Sequence, residues 1–388
     1  MSMQIETQKQ KTLHEITSFA KAHSQEMTDL LVRLVNMDSP SDHKPSLDRQ
    51  SDLLAGLLRG MGADVQVLAN EDAGNAIKAV WGSGPGGTLM LCHMDTVWSV
   101  GTAAERPATI RDGNLYGPGS EDMKGGIVIS LFALRTLTEL SLLPKDEKIT
   151  LILNADEEIG SRSSRAVMEA EALQHRRVFV MEPAVPPGAY KTARKGVGDF
   201  TVKVKGRATH AGADHANGVN AIEELSRQVL VLQGFTNYTT GTTVNVGVIQ
   251  GGSRSNVVPD EAWAEVDVRV EIQEETPKIE ALIRGLKPFN PKCQIEVSGQ
   301  INRPPMVRTA QIADLFEQAR AVAAQMGIDL HEASSGGASD GNFTAALGVP
   351  TLDGMGVVGD GAHGLGEYAV VASLPERAAL LAAVLIER

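Results

Sequence analysis

Apolar and polar positions change period several times along this chain, and each change marks an element. Apolar residues recur at helical spacing over 24–37 and 46–60, then at every second position over 63–68 and 75–81, which predicts two helices followed by two half-buried strands. Thr88-Leu-Met-Leu-Cys-His93-Met-Asp95 is almost continuously apolar, the pattern of a strand covered on both faces, and it ends in His93 and Asp95. A glycine-rich loop over 113–126 precedes an apolar helix over 127–140. The β-branched run Lys148-Ile-Thr-Leu-Ile-Leu-Asn154 then reads as a buried strand, followed by a helix over 162–173 and a further strand, Arg177-Val-Phe-Val-Met181, that ends in Glu182. Alternation of strand and helix predicts an α/β fold, a mixed sheet layered by helices.

From about Lys195 the order changes. Strands at 197–205, 242–250, 261–271 and 293–299 interleave with helices at 218–234 and 276–287, giving the βαββαβ order of a ferredoxin-like unit. The tail resumes the first pattern, with a helix over 309–326, a polar glycine-rich loop over 334–342, a strand over 349–352, a loop over 354–366 and a closing helix over 374–386. The expected organisation is a catalytic domain over 1–194 and 307–388, interrupted by an inserted domain over 195–306.

The length of 388 residues suits two domains. With 48 acidic against 36 basic residues, the formal charge of −12 argues against nucleic acid or an anionic membrane as partner, while a local arginine pocket still permits a small anionic substrate. Cys92 and Cys293 lie too far apart for a disulfide framework or a CxxC metal site, and Cys92 is expected to be a packed thiol. The amino terminus is polar, and no run of about 18 apolar residues occurs. A cytoplasmic protein is expected, or a periplasmic or secreted one if a signal peptide has been removed.

Three consecutive carboxylates, Asp156-Glu157-Glu158, follow one buried strand. They would repel one another unless a cation or proton offsets them, or unless the segment is simply a solvated turn. Partners elsewhere favour the cation, because His93, Asp122, Glu158, Glu182 and His363 all stand at strand ends or in the loops beyond them. Imidazole and carboxylate without thiolate suit zinc, with cobalt or manganese as substitutes. Two histidines, two terminal carboxylates and one shared carboxylate would hold two metals about 3.5–4 Å apart. The glycine-rich loop at 113–126 carries neither phosphate-binding motif, GxxxxGK[ST] or GxGxxG.

The motifs Leu91-Cys-His93-Met-Asp95, Gly117-Pro-Gly-Ser-Glu-Asp122-Met-Lys-Gly-Gly, Asp156-Glu157-Glu158-Ile-Gly-Ser, Met181-Glu182-Pro183 and Gly361-Ala-His363-Gly, in this order, closely resemble those of the dizinc exopeptidases. That family includes glutamate carboxypeptidase, aminoacylase and succinyl-diaminopimelate desuccinylase, and the likeness covers essentially the whole chain. It implies two Zn2+ per subunit (Co2+ or Mn2+ as substitutes), with Asp122 bridging, His93 and Glu182 on opposite metals, and Glu158 and His363 completing the shells. Glu157 would be the general base and Asp95 would orient His93 through its other ring nitrogen. No role falls to Asp156. The resemblance also implies a homodimer built on the inserted domain, in which His210 reaches the partner's active site and stabilises the oxyanion. Asn256 and Arg269 match positions that contact a substrate carboxylate; Arg303 is a further candidate, equally readable as an interdomain salt bridge. The backbone of loop 334–342 would line the substrate side. The expected activity is hydrolysis of an amide bond beside a C-terminal carboxylate in a small peptide, most like glutamate carboxypeptidase. The alternatives are an aminoacylase acting on N-acyl amino acids and, remotely, a non-catalytic dimeric binding protein.

Overall fold

Thr88–His93 forms a strand in which every residue is buried, and Ile149–Asn154 forms a second of the same kind. The computed structural model to which they belong describes residues 2–387; Met1 and Arg388, the ends of the predicted catalytic segments, lie outside the described residues. The chain divides into two compact units, Met1–Ala193 with Arg308–Ser334 and Ser339–Arg388, and Arg194–Val307 with Ser335–Ala338.

In the first unit, strands β1 (Asp64–Leu68), β2 (Ala76–Trp81), β3 (Thr88–His93), β4 (Ile149–Asn154) and β5 (Arg177–Val180) join Thr351–Leu352 in one mixed sheet. The spatial order is β1-β2-β4-β3-β5 followed by Thr351–Leu352. Strand β3 runs parallel to both β4 and β5, so the carboxyl ends of these three lie side by side, where open α/β sheets place their sites. Strand β2 closes the other side antiparallel to β4.

Helices cover both faces of the sheet. Leu89 and Leu91 point into a cluster with Ile152, Val178 and Val180 that is completed by Met168 and Ala172 of helix Arg165–Ala172 and by Phe343. On the opposite face Cys92 meets Ser130 of helix Gly126–Glu139 at 3.4 Å, which makes it the packed thiol expected, with burial pushing its pKa up to about 12. That helix packs on the closing helix Ser373–Ile386, and both are apolar nearly all round.

The sequence pattern misses helix Ser2–Ala22, which packs on the closing helix through a narrow stripe including Leu13, Ile16 and Ala20; its other positions are mostly polar. It also misses the turn of helix at Gly341–Ala346, which begins in the last two residues of the loop expected over 334–342. Among the described residues no helix is long and apolar enough to cross a membrane.

The second unit contains strands β6 (Gly196–Lys205), β7 (Thr243–Gly251), β8 (Glu261–Val270) and β9 (Gln294–Arg303), with helices Ala221–Gln233 and Thr276–Arg284. Their spatial order, β7-β8-β6-β9 with every pair antiparallel, is that of a ferredoxin-like sheet. Alternate residues of β6 and β8, from Phe200 to Val204 and from Ala262 to Val270, form its core with Leu225 and Ile283 of the helices. Strand β9 runs on to Arg303, beyond the predicted end at 299.

Candidate metal centre and active site

The side-by-side ends of β3, β4 and β5 bring together the residues that the sequence pattern scatters over 270 positions. His93 is the last residue of β3 and is buried. Asp122 sits on the loop before helix Gly126–Glu139, and this loop seats closely against the end of β5: a Cβ on Gly126 would stand 2.0 Å from the carbonyl oxygen of Met181. Glu157 and Glu158 open a single 3-10 turn, Glu157–Ile159, beyond β4. His363 approaches from the loop 354–366 with φ of +62°, a left-handed conformation that costs a non-glycine residue of the order of 1 kcal/mol and that clusters at functional sites.

These side chains converge on the two oxygens of Asp122. His93 Nε2 lies 3.1 Å from Asp122 Oδ1 and 3.5 Å from Glu182 Oε1. His363 Nε2 lies 3.4 Å from Asp122 Oδ2 and 3.2 Å from Glu158 Oε2. One ligand atom each of His93, Asp122 and Glu158 falls within 4.8 Å of the others. His93 thus meets Glu182 and one oxygen of Asp122, while His363 meets Glu158 and the other oxygen, a pairing that differs from the expected one, in which His93 and Glu182 stand apart.

Every atom pointing into this cluster is an oxygen acceptor or an imidazole nitrogen, so it needs positive charge. Burial raises the Glu158 carboxyl to about 7 against the pull of the His363 hydrogen bond. Burial acts the same way on Asp122, but hydrogen bonds from His363 and His93 outweigh it and hold that carboxyl below its ordinary range. Burial opposes charging His93, yet Asp122, Asp95 and Glu182 together raise its pKa well above the usual value. Asp122 and Glu158 push His363 up to about 11. Divalent cations could replace these protons, and one observation favours them: Glu158 Oε1 is buried with no hydrogen-bond partner in the protein. Donor set and orphaned oxygen both fit a metal pair.

Surrounding carboxylates hold these groups in place. Asp95, fully buried, accepts the backbone N–H of Glu157 on Oδ1 at 3.2 Å and that of Glu158 on Oδ2 at 3.1 Å, while the Ser41 hydroxyl donates to Oδ2 at 2.7 Å. Nδ1 of His93 meets the Asp95 backbone carbonyl at 3.0 Å and its carboxylate only at 3.5 Å, so residue 95 orients the imidazole chiefly through its main chain. Asp156 gains a role that sequence reading left blank. Its oxygens accept Ser163 N at 2.8 Å, Ser163 Oγ at 2.6 Å and Ser164 Oγ at 2.5 Å, fixing the chain just before helix Arg165–Ala172. Asp340, which sequence reasoning did not single out, accepts from Asn154 Nδ2 at 2.6 Å and Ser161 Oγ at 2.5 Å and so braces both ends of the acidic turn. Its only sequence signal is membership of the polar segment 334–342.

His210, Asn256, Arg269 and Arg303 belong to the second unit. His210 is exposed on a ribbon pairing Thr209–His210 with Val257–Val258, and the backbone of the exposed Asn256 accepts Ala211 N–H at 3.0 Å beside it. Nδ1 of His210 accepts the N–H groups of Gly212 and Ala213 at 3.1 and 3.0 Å, which assigns the proton of the neutral ring to Nε2. Arg269 is forked onto Asp267, with Nε 2.9 Å from Oδ1 and Nη2 2.7 Å from Oδ2. Arg303 is buried at the end of β9.

Imidazole and carboxylate groups gathered at the carboxyl ends of a mixed sheet define a candidate metallohydrolase centre. The family model described as peptidase family M20/M25/M40 matches residues 89–387, and the chain belongs to that family. It is 28% identical over 367 residues to carboxypeptidase G2 of Pseudomonas sp. (strain RS-16), covering 92% of this chain and 88% of the relative. It is 30% identical over 259 residues to acetylornithine deacetylase of Klebsiella pneumoniae (strain 342), covering 61% of this chain and 65% of the relative. The aminopeptidase PepT structure from Bacillus cereus superimposes with a TM-score of 0.76 at 22% identity, over 94% of this chain and 98% of that one, a likeness of fold.

Proposed function

We propose that the protein is a two-zinc exopeptidase that hydrolyses an amide bond beside a free C-terminal carboxylate, a glutamate carboxypeptidase in type. The observation that carries this reading is the two-sided cluster on Asp122, with Glu157 adjoining the ligand Glu158 on one turn. His93 and Glu182 would hold one metal, His363 and Glu158 the other, and Asp122 both; cobalt or manganese would serve the same ligands. Bound there, the metals supply Lewis acidity toward the scissile carbonyl and a more acidic water. Glu157, not committed to a cation, takes the proton of the attacking water and delivers it to the leaving nitrogen. Asp95 fixes the turn that aims it.

The second unit supplies substrate contacts and the dimer. Strand β7 is a sheet edge, with Val248 37% and Ile249 52% exposed on it and Ile222 39% and Leu230 75% exposed on helix Ala221–Gln233. An unpaired edge and exposed apolar residues suit a second copy of the chain. In that homodimer the outward Nε2–H of His210 donates to the oxyanion formed in the partner's site. Arg269, steadied by Asp267, presents its remaining N–H groups to the substrate carboxylate, with Asn256 and Arg303 assisting.

Glu157→Gln should retain its metals and lose turnover by about 10²–10⁴-fold; unchanged turnover would sink the assignment. Mixing Glu157→Gln with His210→Ala subunits should restore about one quarter of the activity, because half of the reassorted dimers carry one intact site. No rescue would refute the contribution in trans. The acetylornithine deacetylase relative favours a second reading, removal of an acyl group from an N-acyl amino acid by the same residues. Parallel assays on folyl-type glutamates, dipeptides and N-acetyl amino acids separate the two, and elemental analysis tests the metals. With Glu157 and all five ligands present in the sequence, a binding protein without activity is the weakest reading.

A further inference from the structure

Two buried carboxylates that take no part in the proposed reaction tie the loop of Asp122 to the loop of His363. Glu367 is 1% exposed. Its Oε1 accepts the backbone N–H groups of Glu121 at 3.0 Å and Asp122 at 3.1 Å. Its Oε2 accepts Gly119 N–H at 2.9 Å and the indole Nε1–H of Trp98 at 3.0 Å. Glu121 reaches the other way: its Oε2 accepts the N–H of Ala362, the residue before His363, at 3.0 Å. Each loop thus sends a carboxylate to the backbone of the other, although more than 240 residues separate them in sequence.

We propose that Glu367 and Glu121 form a reciprocal latch that sets the spacing between the Asp122 carboxylate and the His363 imidazole. They are positioning residues for the metal pair, and the inference rests on the two-metal reading above. The pairing of Asn114–Tyr116 with Tyr368–Val370 and the bond from Gly117 N–H to the Glu367 carbonyl at 3.4 Å also join the two segments, but neither involves Asp122 or residue 362. Groups that orient metal ligands are worth about 10–100-fold in metal affinity.

The two carboxylates have different needs, and this makes the idea testable. Both oxygens of Glu367 are occupied by two donors each, so an amide nitrogen at either position would face N–H groups that point at it. Glu121 receives one N–H through one oxygen, a task an amide oxygen performs equally well. Glu367→Gln and Glu121→Ala should therefore weaken the site, whereas Glu121→Gln should not. Glu171→Gln is the control: Glu171 is also buried but pairs with Lys78 and Lys148.

The full-length protein and these variants would be loaded with Co2+. Three quantities would be read: the visible cobalt spectrum, the chelator concentration that removes half the metal, and the thermal midpoint of the metal-free form. The expected result is an altered spectrum and about a 10–100-fold fall in chelator resistance for Glu367→Gln and Glu121→Ala, with Glu121→Gln and Glu171→Gln matching the unaltered protein. A purely structural role would lower the metal-free midpoint and leave spectrum and chelator resistance unmoved, which overturns the latch. If Glu367→Gln does not fold, the contrast between Glu121→Ala and Glu121→Gln decides the matter. Failure of the unaltered protein to bind Co2+ overturns the two-metal reading and the latch with it; binding with no difference among the variants overturns the latch alone.

Discussion

Replacing Asp95 by Asn tests whether the acidic turn is held by charge-assisted hydrogen bonds. The carboxylate accepts from Ser41 Oγ and Glu158 N on one oxygen and from Glu157 N on the other. Asparagine offers a single acceptor oxygen. In its better orientation it keeps the first pair and turns its NH2 toward Glu157 N, so one hydrogen bond to a charged group is lost and one buried donor is stranded. Such a loss costs about 1.5–3 kcal/mol, lessened somewhat because a buried charge is removed with it. A destabilisation of about 2 kcal/mol is expected in the metal-free protein, measured from urea midpoints at constant slope.

Ser41→Ala removes one of the same bonds without touching the turn and serves as the comparison. Its turnover should hold, whereas that of Asp95→Asn should fall by about 10²-fold as Glu157 loses its aim. The pH dependence has a definite sign. Burial raises the Asp95 carboxyl, but hydrogen bonding and the charge of His93, with the Ser41 and Glu158 bonds, leave it below its ordinary value of 3.8. A depressed folded pKa gives stability that is complete above the unfolded pKa and lost as pH falls through the folded one. Asp95→Asn should flatten that acid limb. A variant within about 0.5 kcal/mol of the unaltered protein, with full turnover, would refute the reasoning.

Three further changes probe neighbouring carboxylates and a buried amine. Burial lowers the pKa of Lys124 from 10.5 to about 8. Between those values the unfolded chain holds a proton that the folded one has released, so stability should rise by about 3 kcal/mol from pH 8 to 10.5, and Lys124→Met should abolish that rise in urea midpoints. Asp156→Ala should cost about 1–2 kcal/mol, as loss of a helix cap does, with metal content unchanged by elemental analysis. Asp340→Ala removes the carboxylate that accepts from Ser161 Oγ and Asn154 Nδ2, and should destabilise by about 2–3 kcal/mol in the same titration while lowering turnover.

How much of this was legible in the sequence depends on the range of the interaction. Strands β3, β4 and β5 declare themselves because burial on both faces demands unbroken apolar runs, and the polar residues that end those runs are the ones that meet in space. The βαββαβ order of the second unit is equally plain, since its strands alternate between wet and packed faces. Helix Ser2–Ala22 escapes detection because, among its described side chains, only a thin stripe of Leu13, Ile16 and Ala20 is buried. Glu121, Asp340 and Glu367 escape for a different reason: they act on backbone groups or on side chains up to 248 positions away, and no local pattern records such a partner. The grouping of ligands about Asp122 was likewise invisible, because it depends on which oxygen of one carboxylate each loop reaches.

The acidic triplet shows how one local geometry separates three identical charges. Asp156 precedes the turn with φ −150° and ψ 23°, outside helical backbone, so its side chain runs forward to Ser163 and Ser164. Glu157 and Glu158 then enter a 3-10 turn, where about 3 residues per turn set successive side chains about 120° apart. The repulsion anticipated from sequence is thus reduced by divergence as well as by partners: serine hydroxyls and N–H groups for Asp156, His363 for Glu158. Two cations would complete the compensation for Glu158 without engaging Glu157, which is what a general base beside a ligand requires. An insertion between Asp156 and Glu157 would turn Glu157 and Glu158 out of these directions together, and on the proposed mechanism would cost both ligand and base where a point substitution costs one.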